Sequence, residues 1–398
     1  MAYADRGQDT FESTMQTIYL DYNTSTPIAG SVRDAMMPFL AEFYAHPSST
    51  HWLGRAAQEA IEDARSHLAS LIGCHPSEIV FTSGGTESVN LALMGAARAV
   101  AQQEPELKKP HLITSSLEHA CVLRCADELE CQGWQVTYLG SDEHGTIRVN
   151  ELEAAMRENT RLVSLTHASH LLGTIQPLAT VAEFCQEHRT LLHTDAAQSI
   201  GKIPVNVDEL GIDLLSLSGH KFYAPKGIGA LYVRMGVTIE PILFGEGNEG
   251  GLRPGTENIS HIVGLGQAAR LVSQGMELAN DRLSELRDRF HRQLEQLLLS
   301  PIRVHGARAS RLPNSISLEI PMVDAQSLEL RVPELCLMPS PSGSFRHSRG
   351  RVCSTYASIG LSADQAARTL RVSFGWNTTE EEVDRACHLI AAAYESLK

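Results

Sequence analysis

The sequence predicts an α/β protein built on a mainly parallel sheet, with a smaller domain at its C-terminal end. Short apolar runs alternate with segments of helical periodicity through the first half of the chain, which is the pattern of strands and helices packed in layers. These runs lack in–out alternation, as is typical of parallel strands covered on both faces. A chain of 398 residues also has room for two or three domains.

The predicted elements follow this alternation along the chain. Residues 1–16 are polar and without pattern, so we expect a flexible terminus. Helical spacing of apolar residues predicts helices over 54–72 and 88–101, on either side of a strand at 79–82. Six more apolar runs are predicted to be strands, namely His111–Thr114, Gln135–Leu139, Leu162–His167, Leu191–Asp195, Leu214–Ser218 and Gly229–Arg234.

The C-terminal third predicts a second, smaller unit. An amphipathic helix over 274–299 is expected to link the two, followed by strands at 315–320 and 371–374 and a final helix that starts in a capping box near Thr379. We therefore expect a large domain over 17–270 and a small domain over 271–398 that includes the linker helix. The segment 17–30 is expected to pack on the small domain.

Composition excludes several functions. The chain has 33 basic and 47 acidic residues, a formal net charge of −14, and so no electrostatic match to nucleic acid or to an anionic membrane. No apolar stretch reaches the ~20 residues of a membrane helix, and the start of the chain does not resemble a secretory signal. Eight scattered cysteines favour a reducing, cytoplasmic location over a disulfide framework.

Three motifs follow predicted strands, where the active sites of such sheets lie. Ser218-Gly219-His220-Lys221 places a lysine beside His and Ser, an arrangement suited to a Schiff base near an anion, although a lone lysine would more simply be a surface residue. Asp195 ends a buried strand, where it would either cap the next segment or pair with a cation. Ser83-Gly84-Gly85-Thr86-Glu87 opens a helix and could bind an anion. Taken together, these motifs indicate a site for pyridoxal phosphate.

With these motifs in place, the chain from about Ile18 to its C-terminus resembles the cysteine desulfurase/selenocysteine lyase family. This is a class V aminotransferase group of fold type I pyridoxal-phosphate enzymes. The resemblance rests on further motifs as well, including Tyr19-Leu20-Asp21-Tyr22-Asn23, Ser116-Leu117-Glu118-His119, His193-Thr194-Asp195-Ala196-Ala197-Gln198 and Leu252-Arg253-Pro254-Gly255-Thr256-Glu257-Asn258. It implies an aspartate aminotransferase-like fold with a mainly parallel seven-stranded sheet and a smaller α+β C-terminal domain.

The resemblance also implies roles for individual residues. Lys221 would carry the cofactor through a Schiff base and move the α-proton, with His119 stacked on the ring. Asp195 would keep the pyridine nitrogen protonated and Gln198 would bond the ring hydroxyl. The phosphate would be held by Gly85, Thr86, Ser218 and His220, and by Thr256 from the partner of a homodimer. The substrate would be bound by Arg371 through its carboxylate, with Asn23 nearby.

Two departures from the family pattern bear on the substrate. Where the family has His-x-Asn-Asn-Glu-x-Gly, this chain has Ser169 and His170 in place of the two asparagines, and we expect one of them to contact the substrate. The family's loop cysteine is also missing, because its position falls on Phe345 or Arg346. Cys353 is the candidate nucleophile in its place, with packing at a loop–helix junction as the alternative.

Three hypotheses follow from this pattern. The first is a desulfurase that converts L-cysteine to L-alanine and passes sulfur to an enzyme cysteine and then to an acceptor protein. The second is a selenocysteine lyase or another C–S or C–Se lyase that needs no loop cysteine, and the third is a non-catalytic sulfur-relay scaffold. No metal site is expected, because Cys121, Cys125 and His119 lack a second ligand pair at zinc spacing.

Overall fold

A computed structural model describes residues 17–339 and 355–398 of the chain. Its centre is a seven-stranded sheet, which confirms the predicted fold class. The strand order is β2-β8-β7-β6-β5-β3-β4, and all neighbours are parallel except the two that flank β8. The strands of this sheet are β2 (Ile79–Thr82), β3 (His111–Ser115), β4 (Gln135–Leu139), β5 (Thr160–Thr166), β6 (Leu191–Asp195), β7 (Leu214–Ser218) and β8 (Gly229–Val233).

Helices cover both faces of this sheet, as the uninterrupted apolar strands require. Every residue of β2, β3 and β7 is buried, so each side of these strands faces packed side chains rather than water. The helices of this part are α1 (Gly30–Met36), α2 (Pro38–Ala41), α3 (Trp52–Ile72), α4 (Gly85–Gln103), α5 (Ala120–Cys131), α6 (Val149–Ala155) and α7 (Leu178–Glu187).

A 40-residue helix, α8 (Ile259–Leu298), joins the two parts of the molecule. It begins 15 residues before the predicted start at Gln274. Its first half packs in the core of the large sheet through residues such as Leu265 and Val272, and its second half packs in a separate apolar core through Phe290 and Leu294. At 1.5 Å per residue the helix is about 60 Å long, so it reaches both cores.

The early start of α8 has a packing reason. Gly264 and Gly266 give this segment a low helix propensity. A Cβ on Gly266 would lie 2.4 Å from Cα of Ala64 in α3, and a Cβ on Gly264 would lie 2.8 Å from the sulfur of Met36. The glycines are therefore needed for the close approach of the helices, and tertiary contacts stabilise what local propensity does not.

The smaller part contains a four-stranded antiparallel sheet in the order β12-β13-β10-β9. Its elements are β9 (Arg303–Val304), β10 (Ser315–Glu319), α9 (Ala325–Arg331), β12 (Met338–Pro339), α10 (Thr355–Ser358), α11 (Ala363–Ala367), β13 (Thr369–Ser373) and α12 (Glu380–Leu397). The final helix begins with the predicted capping box, in which Thr379 and Glu382 each bind the other's backbone N–H.

The N-terminal segment crosses to this smaller part. Strand β1 (Ile18–Tyr19) pairs in parallel with β11 (Leu335–Cys336), and Ile18 and Leu20 are buried in the second core. The backbone N–H of Asn23 then donates to Oγ of Ser373 in β13 at 2.9 Å. This tether holds residues 21–25 over the ends of the large sheet's strands. Among the described residues, no helix combines the length and apolarity needed to cross a membrane.

Candidate active site

The carboxyl ends of the parallel strands open into a cavity of about 990 Å³. Thr166, Asp195 and Ser218 are the last residues of β5, β6 and β7, and all three line it. This is the edge at which ligands bind in open α/β sheets. The topology therefore brings the predicted motifs, which are far apart in the chain, to one place.

One wall of the cavity is an anion cradle. It is formed by Ser83, Gly84, Gly85 and Thr86 at the N-terminus of the 19-residue helix α4, where backbone N–H groups have no intrahelical partner. Gly84 has a φ of 150°, and a Cβ on Gly229 would lie 2.7 Å from the Gly84 backbone. The turn is thus held tightly against the start of β8, and only glycine fits at this contact.

Ser218 and His220 close the opposite side of the cradle. A Cβ on Gly85 would lie 3.2 Å from Cβ of Ser218, so the two segments are in close contact. Nδ1 of His220 lies 3.2 Å from Oγ of Ser25, and burial lowers the His220 pKa to about 4. Four predicted phosphate contacts, Gly85, Thr86, Ser218 and His220, therefore line the same cavity.

Lys221 follows β7 in a short 3-10 turn, Gly219–Lys221, and is half-buried in the cavity. Its Nζ donates to the backbone carbonyl oxygens of Asn23 and Thr24, both at 2.8 Å. Burial lowers the Lys221 pKa to about 8, and the nearby Arg371 guanidinium adds to this effect. A lysine with a depressed pKa is a competent nucleophile toward a carbonyl group.

Asp195 lies at the end of β6 with only 7% of its surface exposed. Its carboxylate accepts the backbone N–H of Ala197 at 3.0 Å, so it caps the following turn, which is one of the two roles predicted from the sequence. Asp195 also lines the cavity. Burial raises the Asp195 pKa, while His119 and Lys221 oppose that rise. A buried carboxylate with one hydrogen bond is suited to pairing with a cationic ligand atom.

His119 is the N-cap residue of α5 and faces the cavity. Its Nδ1 accepts the backbone N–H of Cys121 at 3.3 Å and lies 3.0 Å from the Cys121 sulfur. Burial lowers the His119 pKa, so the ring is neutral with its proton on Nε2. The neighbouring Glu118 is fully buried, and desolvation raises its pKa to about 8, which leaves its carboxyl group protonated near neutral pH.

Arg371, in β13 of the four-stranded sheet, places a positive charge in the cavity and is 2% exposed. Its Nη2 donates to Oδ1 of Asp21 at 2.5 Å and to Oγ1 of Thr24 at 2.6 Å, and its Nη1 donates to the His170 carbonyl at 2.9 Å. A substrate carboxylate that binds this guanidinium would therefore displace the carboxylate of Asp21 from it.

His170 and Ser169 have different surroundings. His170 lines the cavity, and its ring packs edge-to-face against His119 with centroids 5.4 Å apart. Burial lowers its pKa well below the usual value, so the imidazole is neutral. Ser169 is fully buried within a turn, where its Oγ accepts the Leu172 N–H, and it does not line the cavity. The geometry thus favours His170 over Ser169 as a substrate contact.

A network of amides lies beneath these groups. Asn23 and Gln198 both line the cavity and are 1% and 5% exposed. Nε2 of Gln198 donates to the Asn23 carbonyl at 2.9 Å. Nζ of Lys202 donates to Oε1 of Gln198 at 2.6 Å and to Oδ1 of Asn23 at 3.0 Å.

Two predicted residues are not part of this group. Thr256 is exposed, 3.4 Å from Nε2 of His46, and lines a separate cavity of about 150 Å³ next to the cradle. Cys353 lies outside the described residues. Among the described cysteines, Cys121 lines the large cavity, and burial raises its pKa far above that of a reactive thiol. Within the same part of the chain, no three His, Cys, Asp or Glu side chains are grouped as metal ligands.

Three residues of the site were not among the candidates from sequence. Asp21 and Glu118 stand inside quoted motifs, next to residues that were chosen, so position within a motif was a usable signal. Lys202 comes four residues after Gln198, the spacing that places two side chains on one side of a helical turn.

The residues present fit pyridoxal phosphate. The glycine cradle matches a phosphate, Asp195 matches a protonated pyridine nitrogen, and Lys221 can bond its aldehyde carbon. The 990 Å³ of the cavity also leaves space for an amino acid between Arg371 and the cofactor.

Comparison with known proteins agrees with this geometry. The aminotransferase class-V family matches residues 18–386. The chain belongs to the class-V aminotransferase family. Among members of this family, the chain is 40% identical over 381 residues to cysteine desulfurase IscS of Dictyoglomus turgidum, covering 96% of this chain and 95% of the relative. It is 41% identical over 385 residues to the IscS of a Neisseria meningitidis serogroup C strain, covering 96% and 93%.

Solved structures of other proteins share the fold. A NifS-like protein superposes with a TM-score of 0.88 at 33% identity and covers 96% of this chain and 100% of its own. A structure described as SspA in complex with cysteine superposes with a TM-score of 0.78 at 37% identity, covering 90% and 99%. A class-V enzyme fold is therefore expected over nearly the whole chain.

Proposed function

We propose that the protein is a pyridoxal-phosphate-dependent cysteine desulfurase. The observation that carries this proposal is the convergence of Lys221, Asp195 and Arg371 on one cavity that also contains an anion cradle. Curated relatives at about 40% identity bear the name cysteine desulfurase, and one of the similar solved structures contains cysteine, which supports the same activity. A non-catalytic scaffold would need none of the three charged groups.

The overall reaction transfers one sulfur atom. L-cysteine and an enzyme thiol give L-alanine and an enzyme persulfide, so the Cβ–S bond breaks, an S–S bond forms and Cβ gains a proton. The bound cofactor supplies an electron sink for the carbanion that this chemistry requires. The protein's own groups have to bind, orient and move protons.

The charged groups divide these tasks. Arg371 binds the substrate carboxylate by exchange with Asp21, which places the amino group toward Lys221. The amine of Lys221 then takes up and returns protons at the substrate's α carbon, because its depressed pKa leaves a useful fraction neutral near pH 8. Neutral His119, with its proton on Nε2, would lie against the ring face of the bound cofactor and could donate that proton to a reacting group.

We propose Cys353 as the sulfur nucleophile, because it lies seven residues past Arg346, near the position of the family's loop cysteine. Persulfide formation needs a thiolate, and the Cys121 thiol in the cavity is held protonated by burial. In Cys353→Ser, persulfide sulfur should disappear from the protein while cofactor binding is unchanged. Mass spectrometry of the protein after L-cysteine treatment measures this, with Cys121→Ser as the matched control. Persulfide retained in Cys353→Ser would contradict the assignment, and its loss in Cys121→Ser would point to Cys121 instead.

The active unit is proposed to be a homodimer. The large side chains Tyr44, Trp52 and Phe244 are 74%, 64% and 82% exposed, and Thr256 contacts His46, which lies between Tyr44 and Trp52 in the chain. An apolar patch of this kind marks an interaction site, and two-fold dimers are the commonest assembly. In this arrangement Thr256 reaches the phosphate site of the partner subunit.

Substrate comparison tests the proposal. We expect alanine and sulfide in equal amounts from L-cysteine in the presence of a reducing thiol, at rates well above those with cystine or cysteine sulfinate. Turnover of L-selenocysteine alone would favour the lyase alternative, which the departure at His170 motivates. No turnover of any of these substrates at saturating cofactor would contradict both enzyme hypotheses.

A further inference from the structure

Lys202 is a buried lysine that the reaction scheme does not use. It is 6% exposed, and within the described residues it forms no ion pair with a carboxylate. Burying an ammonium group without a counter-charge is costly, and burial lowers the Lys202 pKa well below its usual value. Its two contacts are side-chain amides of the cavity wall, Gln198 at 2.6 Å and Asn23 at 3.0 Å.

The polarity of these contacts decides how both amides are oriented. An ammonium group only donates hydrogen bonds and so requires oxygen on both amides, whereas a neutral amine has two N–H groups and one lone pair and could accept from one of them. In the structure, oxygen faces Lys202 in Gln198 and in Asn23. Independent partners agree, because Nε2 of Gln198 donates to a backbone carbonyl and Oδ1 of Asn23 also accepts Nδ2 of Asn314 at 3.1 Å.

Both amides are thereby left with N–H groups for another acceptor. Gln198 uses one N–H on the Asn23 carbonyl and keeps the second. Nδ2 of Asn23 is buried and has no hydrogen-bond partner among the described residues, although Asn23 lines the cavity. A buried amide donor without a partner is costly, so a ligand acceptor at this position would satisfy it.

We propose that Lys202 is a positioning residue that fixes the orientation of Gln198 and Asn23 so that both present only N–H donors to the cavity. The acceptors would be the ring oxygen of the cofactor for Gln198 and a carboxylate or ring oxygen for Asn23. This inference rests on the proposed function only in its choice of cofactor. According to this proposal, Lys202 makes the site selective for a ligand that has a hydrogen-bond acceptor at the position of the cofactor's ring oxygen.

Discrimination between two cofactor analogues tests this role without any turnover. The apoenzyme is titrated calorimetrically with pyridoxine 5′-phosphate, which lacks the aldehyde that Lys221 would bond, and with the analogue that also lacks the ring hydroxyl. We expect the wild type to bind the hydroxyl form about three- to tenfold more tightly, the range of one net hydrogen bond. In Lys202→Met this ratio should fall to near one, because the amides are free to turn.

Matched variants separate positioning from structural damage. Loosening of the fold would weaken both analogues equally and leave the ratio unchanged, whereas positioning changes the ratio. Lys108→Met, at an exposed lysine, should keep the wild-type ratio. Gln198→Ala should lose discrimination, and adding Lys202→Met to it should cause no further loss, because the two residues act through one contact.

The outcomes are decisive in either direction. Lys202→Leu is a second apolar replacement if Lys202→Met does not accumulate as folded protein. A wild-type ratio in either folded variant overturns the inference, as does a ratio near one in the wild type. Failure of the wild type to release sulfide from L-cysteine would refute the proposed function while leaving this ratio, and so the role of Lys202, intact.

Discussion

At the scale of single residues, Lys221 has the environment that bears most directly on catalysis. Burial and Arg371 lower its pKa to about 8, and only the unprotonated amine can attack an aldehyde. We predict that the rate of covalent capture of pyridoxal phosphate by the apoenzyme rises with pH and levels off above a midpoint near 8. Stopped-flow absorbance over pH 6–10 measures this rate.

The midpoint of this pH profile tests whether the cavity lowers the Lys221 pKa. A depressed pKa means that protonation is resisted, so capture should be lost only as the pH falls below about 8. A midpoint near the usual lysine value of about 10.4 would show that the cavity does not lower the pKa. Arg371→Met should move the midpoint upward, because a neighbouring positive charge is removed.

His170 lines the cavity at a position where the family pattern that this chain resembles has asparagine. Because its neutral imidazole lines the cavity and packs against His119, while its backbone carbonyl accepts from Arg371, we predict that His170→Ala raises KM for L-cysteine about tenfold, the effect of losing one hydrogen bond to a charged group. His170→Asn should restore most of the affinity. Ser169→Ala is the matched control and should leave KM unchanged, and a larger effect at Ser169 than at His170 would reverse the assignment.

At the scale of elements, two glycines of α8 have different surroundings, so replacing them by alanine should change stability in opposite directions. A Cβ at Gly266 would lie 2.4 Å from the α3 backbone, whereas a Cβ at Gly275 would meet its nearest atom, on Trp376, at 3.8 Å. We predict that Gly266→Ala lowers the free energy of unfolding by about 1–3 kcal/mol through overpacking. Gly275→Ala should raise it by about 0.5–1 kcal/mol through helix propensity.

Denaturant unfolding of both apo variants measures these changes. Equal effects of the two substitutions would show that the close approach of α3 and α8 does not constrain Gly266.

A similar contrast tests the anion cradle. A Cβ at Gly229 would lie 2.6 Å from the Leu217 carbonyl and 2.7 Å from Gly84, while Gly30 has nothing within 4 Å. Gly229→Ala should displace the turn at the start of α4 and weaken binding of pyridoxine 5′-phosphate at least tenfold, and Gly30→Ala should not. Calorimetric titration gives both affinities, and unchanged binding by Gly229→Ala would argue against the cradle as the phosphate site.

Elements were predictable from sequence where local pattern and packing agree. The β6 strand Leu191–Asp195 and the α12 capping box at Thr379 have their predicted positions, because an apolar run and a cap are local signals. The first turn of α4 and the first 15 residues of α8 were missed because both segments contain glycine, which disfavours helix on its own. Contacts from distant parts of the chain stabilise both, and a single sequence does not display such contacts.

At the scale of the whole molecule, the site depends on chain topology. Asp195 and Lys221 meet because parallel neighbours end at the same edge of a sheet, which the sequence pattern predicts. The pairing of Arg371 with Asp21 and the hydrogen bonds that Asn23 makes join segments up to 350 residues apart, and no local pattern specifies them. Motif resemblance named most of the cavity's residues, but the network of partners around them became visible only in three dimensions.

The proposed dimer makes a prediction at this scale. If Thr256 completes the phosphate site of a partner subunit, Thr256→Ala should raise the dissociation constant of pyridoxine 5′-phosphate while Phe244→Glu should shift the protein to monomers. Sedimentation velocity and titration measure the two effects. A fully active monomeric Phe244→Glu variant would contradict a shared site, because one subunit would then form a complete site by itself.

The central claim is that this cavity removes sulfur from L-cysteine through Lys221. The most direct measurement is the yield of L-alanine from L-cysteine by the cofactor-loaded protein, with sulfide measured in parallel after reduction. We predict alanine and sulfide in a one-to-one ratio, and at least a thousandfold lower rate in Lys221→Ala. Pyruvate and ammonia in place of alanine, or an undiminished rate in Lys221→Ala, would contradict the account.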